Sequence, residues 1–190
     1  VEDPVEYHLA GVTQVPVHAK AGVTFAAALR SILRQDPDVL MVGEMRDAET
    51  AGIAVQAAMT GHVVFSTLHT NDALSAMARL ADLRVEPYLI AATVEGVLAQ
   101  RLVRRTCPDC RERYRPDPAA VAALTRAPVA EVVLERGAGC SICRQTGFRG
   151  RTGIFELLLV TDELKQAIAR GAELGQLRAL ATASGMQSLR

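Results

Sequence analysis

Four apolar residues in a row, Val39 to Val42, lie between Asp36-Pro37-Asp38 and Gly43-Glu44, and they constrain this 190-residue chain more than any other stretch. A strand with one face in water alternates apolar and polar residues. An unbroken apolar run suits a strand covered on both faces of a parallel sheet. The run therefore predicts a doubly buried strand that delivers a carboxylate, Glu44, just past its C-terminal end. Open α/β sheets bind ligands outside the carboxyl ends of their strands. An acid placed there can face magnesium or a water molecule in a nucleotide site.

The flanking sequence supplies helices for such a sheet. Thr24 can cap a helix from Phe25 to Gln35, with Phe25, Leu29, Ile32 and Leu33 on one face. A small-residue helix is expected from about Ala48 to Thr60, ended by Gly61, with a second buried strand from Val63 to Leu68. Asn71 or Asp72 can cap the next helix, to about Leu83. Pro87 can open another, expected to reach about Arg104. This strand–helix alternation points to a parallel, helix-covered sheet. Composition changes at Cys107: from there to Gly153 the chain holds all four cysteines, many arginines, and little strand-like sequence. A short helix from Asp117-Pro118 to about Arg126 is expected inside this stretch. Thr161 can cap a helix ending near Gly171, and a last helix runs to about Ser184. The organisation expected is an α/β portion, an inserted cysteine module and a C-terminal helical portion.

Formal net charge is zero, so bulk electrostatics make no case for nucleic acid or an acidic membrane surface. No apolar run approaches the roughly 20 residues that span a bilayer. The opening Val1-Glu2-Asp3-Pro4 has no signal-peptide pattern and no initiating methionine, and reads as a start inside a longer protein. Nineteen of the 21 basic residues are arginine, the lysines being Lys20 and Lys165. Base composition of the genome accounts for that bias. Neither lysine sits in a GxxxxGK pattern, so a Walker A phosphate loop is not in this stretch.

Cys107-x-x-Cys110 and Cys140-x-x-Cys143 form the spacing of a structural zinc site. Each pair turns two thiolates to one side of a tight turn, and two turns complete a tetrahedron. Four thiolates on one zinc leave a formal charge of about −2, which Arg104, Arg105, Arg111 and Arg144 are placed in sequence to offset. The alternatives are disulfides, for which nothing here indicates a secreted chain, or a redox pair that would leave one CxxC idle.

His62 and His69 cannot share a metal along one strand, because they would stand roughly 23 Å apart. His62 instead precedes the second strand and His69 follows it, on the ligand edge with Glu44. The run from Ser66 to Asp72, including Thr67, offers hydroxyls and an amide for a phosphate or for water. A satisfied loop histidine is the plain alternative. His8 and His18 have no such context. Glu2, Asp3 and Glu6 are either solvated charges or, together with Glu44 and His69, magnesium ligands and a water-orienting base.

Read in order, VEDPVEY (1–7), LRSILRQDPDVLMVGEMRD (29–47), TGHVVFSTLHTNDA (60–73), AQRLVRRTCPDC (99–110) and CSICRQTGFRGRTGIFELL (140–158) resemble the secretion ATPases. The chain is most similar to type II secretion ATPases and type IV pilus assembly ATPases. The resemblance implies a RecA-like P-loop NTPase core at 1–104, its sheet truncated at the N-terminus. A tetracysteine zinc module at 105–153 and a C-terminal helical subdomain at 154–190 follow. VEDPVEY is similar to the family's aspartate box, with Glu6 as the water-activating glutamate and Glu2 and Asp3 in its polar network. GEMRD is similar to an atypical Walker B, with Glu44 toward Mg2+ and Met45 where Ile is usual. TGHVVFSTLHTND is similar to the histidine box, with His69 near the γ-phosphate of ATP and His62 at its start. Thr67, Arg30, Arg34, Arg46 and Arg79 are candidates for nucleotide or subunit contacts. Each arginine, taken singly, fits a surface ion pair equally well. The tetracysteine element argues against the retraction branch of pilus ATPases.

The implied parent is a cytoplasmic homo-hexamer, peripheral to the inner membrane through platform and adaptor partners. It hydrolyses Mg-ATP to drive pseudopilus or pilus assembly. The family's Walker A lies upstream of the aspartate box, so this chain alone is expected to be inactive or nearly so. The alternative is a zinc-stabilised, non-catalytic assembly or partner-docking module. Nucleic-acid binding through the arginines of 101–115 and 144–151 is a third reading. Only Tyr114 and Phe148 interleave them, which argues against it.

Overall fold

Side-chain caps set the starts of three of the helices. In the computed structural model, which describes residues 1–119, 121 and 132–189, Thr24 Oγ1 accepts the N–H of Ala27 at 3.1 Å. That bond starts α1 (Phe25–Ile32), which tightens into a 3-10 turn over Leu33–Gln35. Asp47 starts α2 (Ala48–Met59), taking the Thr50 N–H at 2.8 Å and the Thr50 hydroxyl at 3.0 Å. Gly61, at φ 99°, turns the chain after it. The two apolar runs become β1 (Val39–Val42) and β2 (Val63–Ser66) and pair in parallel, Val39 opposite Val63 and Val42 opposite Ser66.

Beyond β2 come α3 (Ser75–Asp82) and α4 (Pro87–Thr93), with Pro87 in the first turn of α4. Then follow β3 (Gly96–Thr106), β4 (Arg111–Tyr114), β5 (Leu134–Gly137) and β6 (Phe148–Leu159). β3 pairs with β6, and β4 with β5. Thr161 caps α5 (Asp162–Ala169), and α6 (Leu174–Ala183) ends the series. The chain divides into two compact units, residues 1–99 with 155–190, and residues 100–154.

In the first unit, α2 is enclosed on two sides. Ile53, Ala54 and Ala57 pack with Leu29 of α1 and with Leu40 and Val42 of β1. Ala51 and Val55 face a second core of Leu74, Met77, Leu80, Ile90, Leu158, Leu164, Ile168 and Leu177. The alanines let neighbouring elements approach this helix closely, which is why it carries no polar stripe.

Three expectations fail here. β1 and β2 are covered on one face only: Val39, Met41, Val63 and Phe65 are 58%, 52%, 51% and 60% exposed. α1 and α2 pack on one side of this two-stranded sheet, and among the described residues nothing packs on the other. The helix opened by Pro87 stops at Thr93 rather than near Arg104. Val94 is extended, Gly96 follows, and Val97 and Ala99 then alternate with exposed Leu98, the period of two of a strand. The cysteine stretch does contain strands. β4 and β5 are held by cross-strand charge rather than apolar alternation, with Arg136–Glu112 at 2.7 Å and Arg111–Glu135 at 3.2 Å. The helix expected from Asp117 to Arg126 lies for the most part outside the described residues.

One-sided cover predicts unequal sensitivity along β1. Denaturant unfolding of this chain should show Val42→Ala costing about 2 kcal/mol. Met41→Gln, one residue away, should stay within about 0.5 kcal/mol of the parent.

Candidate functional site

The parallel register carries on past the ends of both strands. Met45 N–H donates to Thr67 O at 3.1 Å, and Thr67 Oγ1 donates to Gly43 O at 2.6 Å. On its other side β1 is met by the first residue: Val1 N donates to Met41 O at 2.7 Å, and Gly43 N–H to Val1 O at 2.8 Å. A Cβ on Gly43 would stand 3.1 Å from Val1 O, so glycine suits this close approach.

Glu44 thus leaves β1 at a fixed place, 9% exposed, and its carboxylate faces two cationic or polar groups. Arg46 Nε stands 2.5 Å from Oε2 and His69 Nε2 stands 3.1 Å from the same oxygen. The Arg46 hydrogen bond, above all, holds the Glu44 carboxyl below its ordinary 4.5; burial works against it and His69 adds to it. His69 is itself 83% exposed at the side chain, so its free ring face is open to a ligand.

The other candidate residues fall in different surroundings. The Glu2 carboxylate accepts from Gln14 Nε2 at 2.7 Å, and the Glu2 backbone lies beside Gly43. Asp3 and Glu6 are exposed, and Glu6 has no hydrogen bond or ion pair among the described residues. Arg30 pairs with Glu49 at 2.7 Å across α1 and α2, both side chains exposed. Arg34 is exposed, and Arg79 lies half-buried in the last turn of α3. His62 Nδ1 is 2.9 Å from Ala57 O; a carbonyl only accepts, so this nitrogen carries a proton and caps the end of α2.

Two residues, Asp47 and Glu156, carry structure not anticipated from the sequence, while Asp72 is one of the two expected cap candidates and takes the first N–H of α3. Asp47, inside the GEMRD run, is the α2 cap, its carboxylate taking both the N–H and the hydroxyl of Thr50 three positions on. Asp72 accepts from Ser75 N–H at 2.8 Å, from Ser75 Oγ at 2.6 Å and from Arg178 Nη2 at 3.1 Å. Glu156 is buried within an apolar strand, with nothing in its local sequence to mark it. The Ser75 hydroxyl, above all, holds the Asp72 carboxyl below its ordinary 3.8; burial opposes this, while Ser75 N–H and Arg178 reinforce it.

The second unit brings the cysteines together through two glycines. A Cβ on Gly137 would stand 2.0 Å from Gly147 O, so only glycine permits this approach. Cys107 N–H then donates to Gly147 O, and Ala138 N–H to Cys110 O, both at 2.9 Å. The four Sγ atoms lie within 4.8 Å of one another, as free thiols able to hold a metal ion. Arg144 and Gln145 take left-handed φ values of 52° and 63° in the turn that follows Cys143. Cys140 N–H reaches Cys143 Sγ at 3.2 Å and Gly147 N–H reaches it at 3.3 Å. Burial disfavours the Cys143 thiolate, yet these N–H groups and the neighbouring thiols outweigh it and bring the thiol down to about 6. Burial and adjacent thiols push Cys110 up to about 12. Arg104 stacks 4.0 Å over the Phe148 ring and Arg111 pairs with Glu135, so both serve side chains rather than sulfur.

The chain belongs to the Type II/IV secretion system protein family, whose model matches residues 1–190, and so to the secretion ATPases. It is 57% identical over 168 residues to type II secretion system protein E of Pseudomonas aeruginosa, covering 88% of this chain and 34% of that protein. It is 50% identical over 192 residues to the type IV pilus assembly ATPase PilB of Thermus thermophilus, covering 100% of this chain and 22% of that protein. The solved pilus retraction motor PilT with bound ADP superposes with a TM-score of 0.66 at 26% identity, over 99% of this chain and 49% of that one. The Legionella pneumophila ATPase DotB shares the fold, with a TM-score of 0.60 at 23% identity over 96% of this chain and 41% of that one. The chain therefore spans about a third of the length of type II secretion protein E. No helix among the described residues is long and apolar enough to cross a membrane.

The lowered Asp72 carboxyl gives a signed prediction. Its contribution to stability is full above its ordinary 3.8 and is lost as pH falls through the lower native value. Between about pH 5 and pH 2 the parent should lose stability more steeply than Asp72→Asn, whose curve lacks this component. Unfolding free energy measured across that range checks it.

Proposed function

We propose that this chain is the C-terminal portion of a cytoplasmic, hexameric ATPase. The whole protein hydrolyses Mg-ATP to drive pseudopilus or pilus assembly at the inner membrane, reaching that membrane through platform and adaptor proteins. The observation that carries the reading is the Glu44 carboxylate, set past the end of a parallel strand and facing His69 at 3.1 Å from the neighbouring strand's loop. The names of the relatives, secretion and pilus ATPases, support the same reaction class.

On this reading the first unit is part of a RecA-like core whose phosphate loop is supplied upstream. Magnesium neutralises phosphate charge when bound with ATP, and Glu44 is the residue that would hold it. Both partners of Glu44 meet Oε2, which leaves Oε1 to accept from a cation's water. Glu6, exposed and uncommitted, orients the attacking water, with Glu2 and Asp3 in its network. His69 reads the γ-phosphate. Thr67 and Arg46 lie beside them, while Arg30, Arg34 and Arg79 serve nucleotide or subunit contacts. The exposed Arg30–Glu49 pair favours a surface role for Arg30. Catalysis is in-line attack by water with electrostatics supplying most of the stabilisation.

The cysteine centre is structural zinc on the same proposal. Zinc–sulfur bonds of about 2.3 Å put the sulfurs of a tetrahedron about 3.8 Å apart. The Cys140–Cys143 and Cys110–Cys143 separations are 3.7 and 3.9 Å. A closed four-sulfur shell has no open position, so it contributes folding energy and no catalysis.

A second reading applies to the chain by itself: a zinc-stabilised, non-catalytic assembly or docking module. It is favoured by the lysines, since Lys165 is committed to Glu95 at 2.8 Å and neither lysine lies in a phosphate loop. Magnesium-dependent ATP hydrolysis separates the two. The chain alone should be inactive. With its upstream sequence joined it should hydrolyse ATP and lose at least about 100-fold in kcat in Glu6→Gln. A folded, oligomeric, zinc-loaded extended protein without activity would leave the assembly module as the function.

A further inference from the structure

Glu156 is 1% exposed, in the middle of the apolar end of β6. No ion pair reaches it among the described residues. Its Oε1 accepts the Ala73 N–H at 2.8 Å and its Oε2 accepts the Leu189 N–H at 2.9 Å. One buried carboxylate therefore ties two backbone segments that are far apart in sequence. Removing a carboxylate from water is costly, and an apolar residue in this strand would avoid that cost. What Glu156 supplies that an apolar residue cannot is the pair of fixed backbone bonds.

One of those segments leads straight to His69. Thr70 N–H donates to Leu68 O at 3.1 Å, and Thr70 Oγ1 donates to Asp72 O at 3.1 Å, so the loop from Leu68 to Asp72 is internally braced. Asp72 holds Ser75 and receives Arg178 of α6 at 3.1 Å. Ala73 and Leu74, next in the chain, are fully buried. The loop that presents His69 is thus anchored at two points to the C-terminal segment, by Glu156 and by the Asp72–Arg178 pair.

We propose that Glu156 and Arg178 are positioning residues: they set the place of His69 against Glu44 from the C-terminal segment, and so couple that segment to the strand-end site. The coupling is one of position, through hydrogen bonds, and involves no bond change. Its kinetic consequence rests on the ATPase reading above; its structural consequence does not.

Amide hydrogen exchange of this chain tests the structural part. In Arg178→Ala and in Glu156→Gln, exchange at residues 67–75 should speed by about tenfold, and in Glu156→Gln at Leu189 as well, while α1 and β1 keep the parent's rates. Arg178 is half-exposed, so its variant should stay folded even where a Glu156 variant does not. The His69 imidazole resonances should also shift in Arg178→Ala and return in Arg178→Lys. Unchanged loop exchange, or equal acceleration throughout the first unit, overturns the proposal. In the upstream-extended protein, Arg178→Ala should lower kcat about tenfold with little change in KM for ATP. Parent-like kcat despite a loosened loop overturns the positioning role. If the extended parent itself does not hydrolyse ATP, the ATPase reading falls, and the exchange and imidazole results still decide the coupling.

Discussion

The parallel pairing of β1 with β2 is the constraint on which the strand-end site depends. Parallel strands put both C-terminal ends on one edge, so the residues following them meet. Thr67 extends the pairing one step beyond the strands, through its carbonyl to Met45 and its hydroxyl to Gly43. With those two bonds in place Glu44 cannot drift from the loop that carries His69. A one-residue slip of β2 would turn its side chains to the other face and remove the Thr67 hydroxyl from Gly43.

The two units use different sources of stability. The first has α2 buried between two apolar cores, and the second core holds α3 to α6 with the end of β6. In the second unit the buried apolar side chains among the described residues are Cys107, Val121 and Cys143. Two of these three are thiols. With so few buried apolar side chains among its described residues, this unit gathers four thiols through the Gly137–Gly147 approach, a cluster that a metal ion can complete. The surface ion pairs of β4 and β5 set register more than they add stability.

Much of this was legible in the sequence because the signals were local. Thr24, Thr161 and Gly61 mark helix ends by their own chemistry, and the paired CxxC spacing anticipates the thiol cluster. The apolar runs identified β1 and β2, but not which faces are covered, since burial depends on elements distant in sequence. β3 was hidden because Val97 to Leu102 fits a helical period as well as a strand period, and only Val94 and Gly96 argue for the strand. The charged strands β4 and β5 have no apolar alternation to read. Glu156 was invisible for another reason: its partners are Ala73 and Leu189 backbone groups, which have no signature in sequence. Within the strand-end site, Glu44 and His69 are brought together; Glu6 is left in solvent.

On the proposed function, the Glu44 edge receives a divalent cation together with ATP. Its most direct test is a crystal structure of the upstream-extended protein with manganese(II) and a non-hydrolysable ATP analogue, with the metal located by its anomalous signal. The expected result is one anomalous peak beside the Glu44 carboxylate, His69 turned toward the terminal phosphate, and loss of that peak in Glu44→Gln. A peak held by other residues, or one that survives Glu44→Gln unchanged, would contradict it.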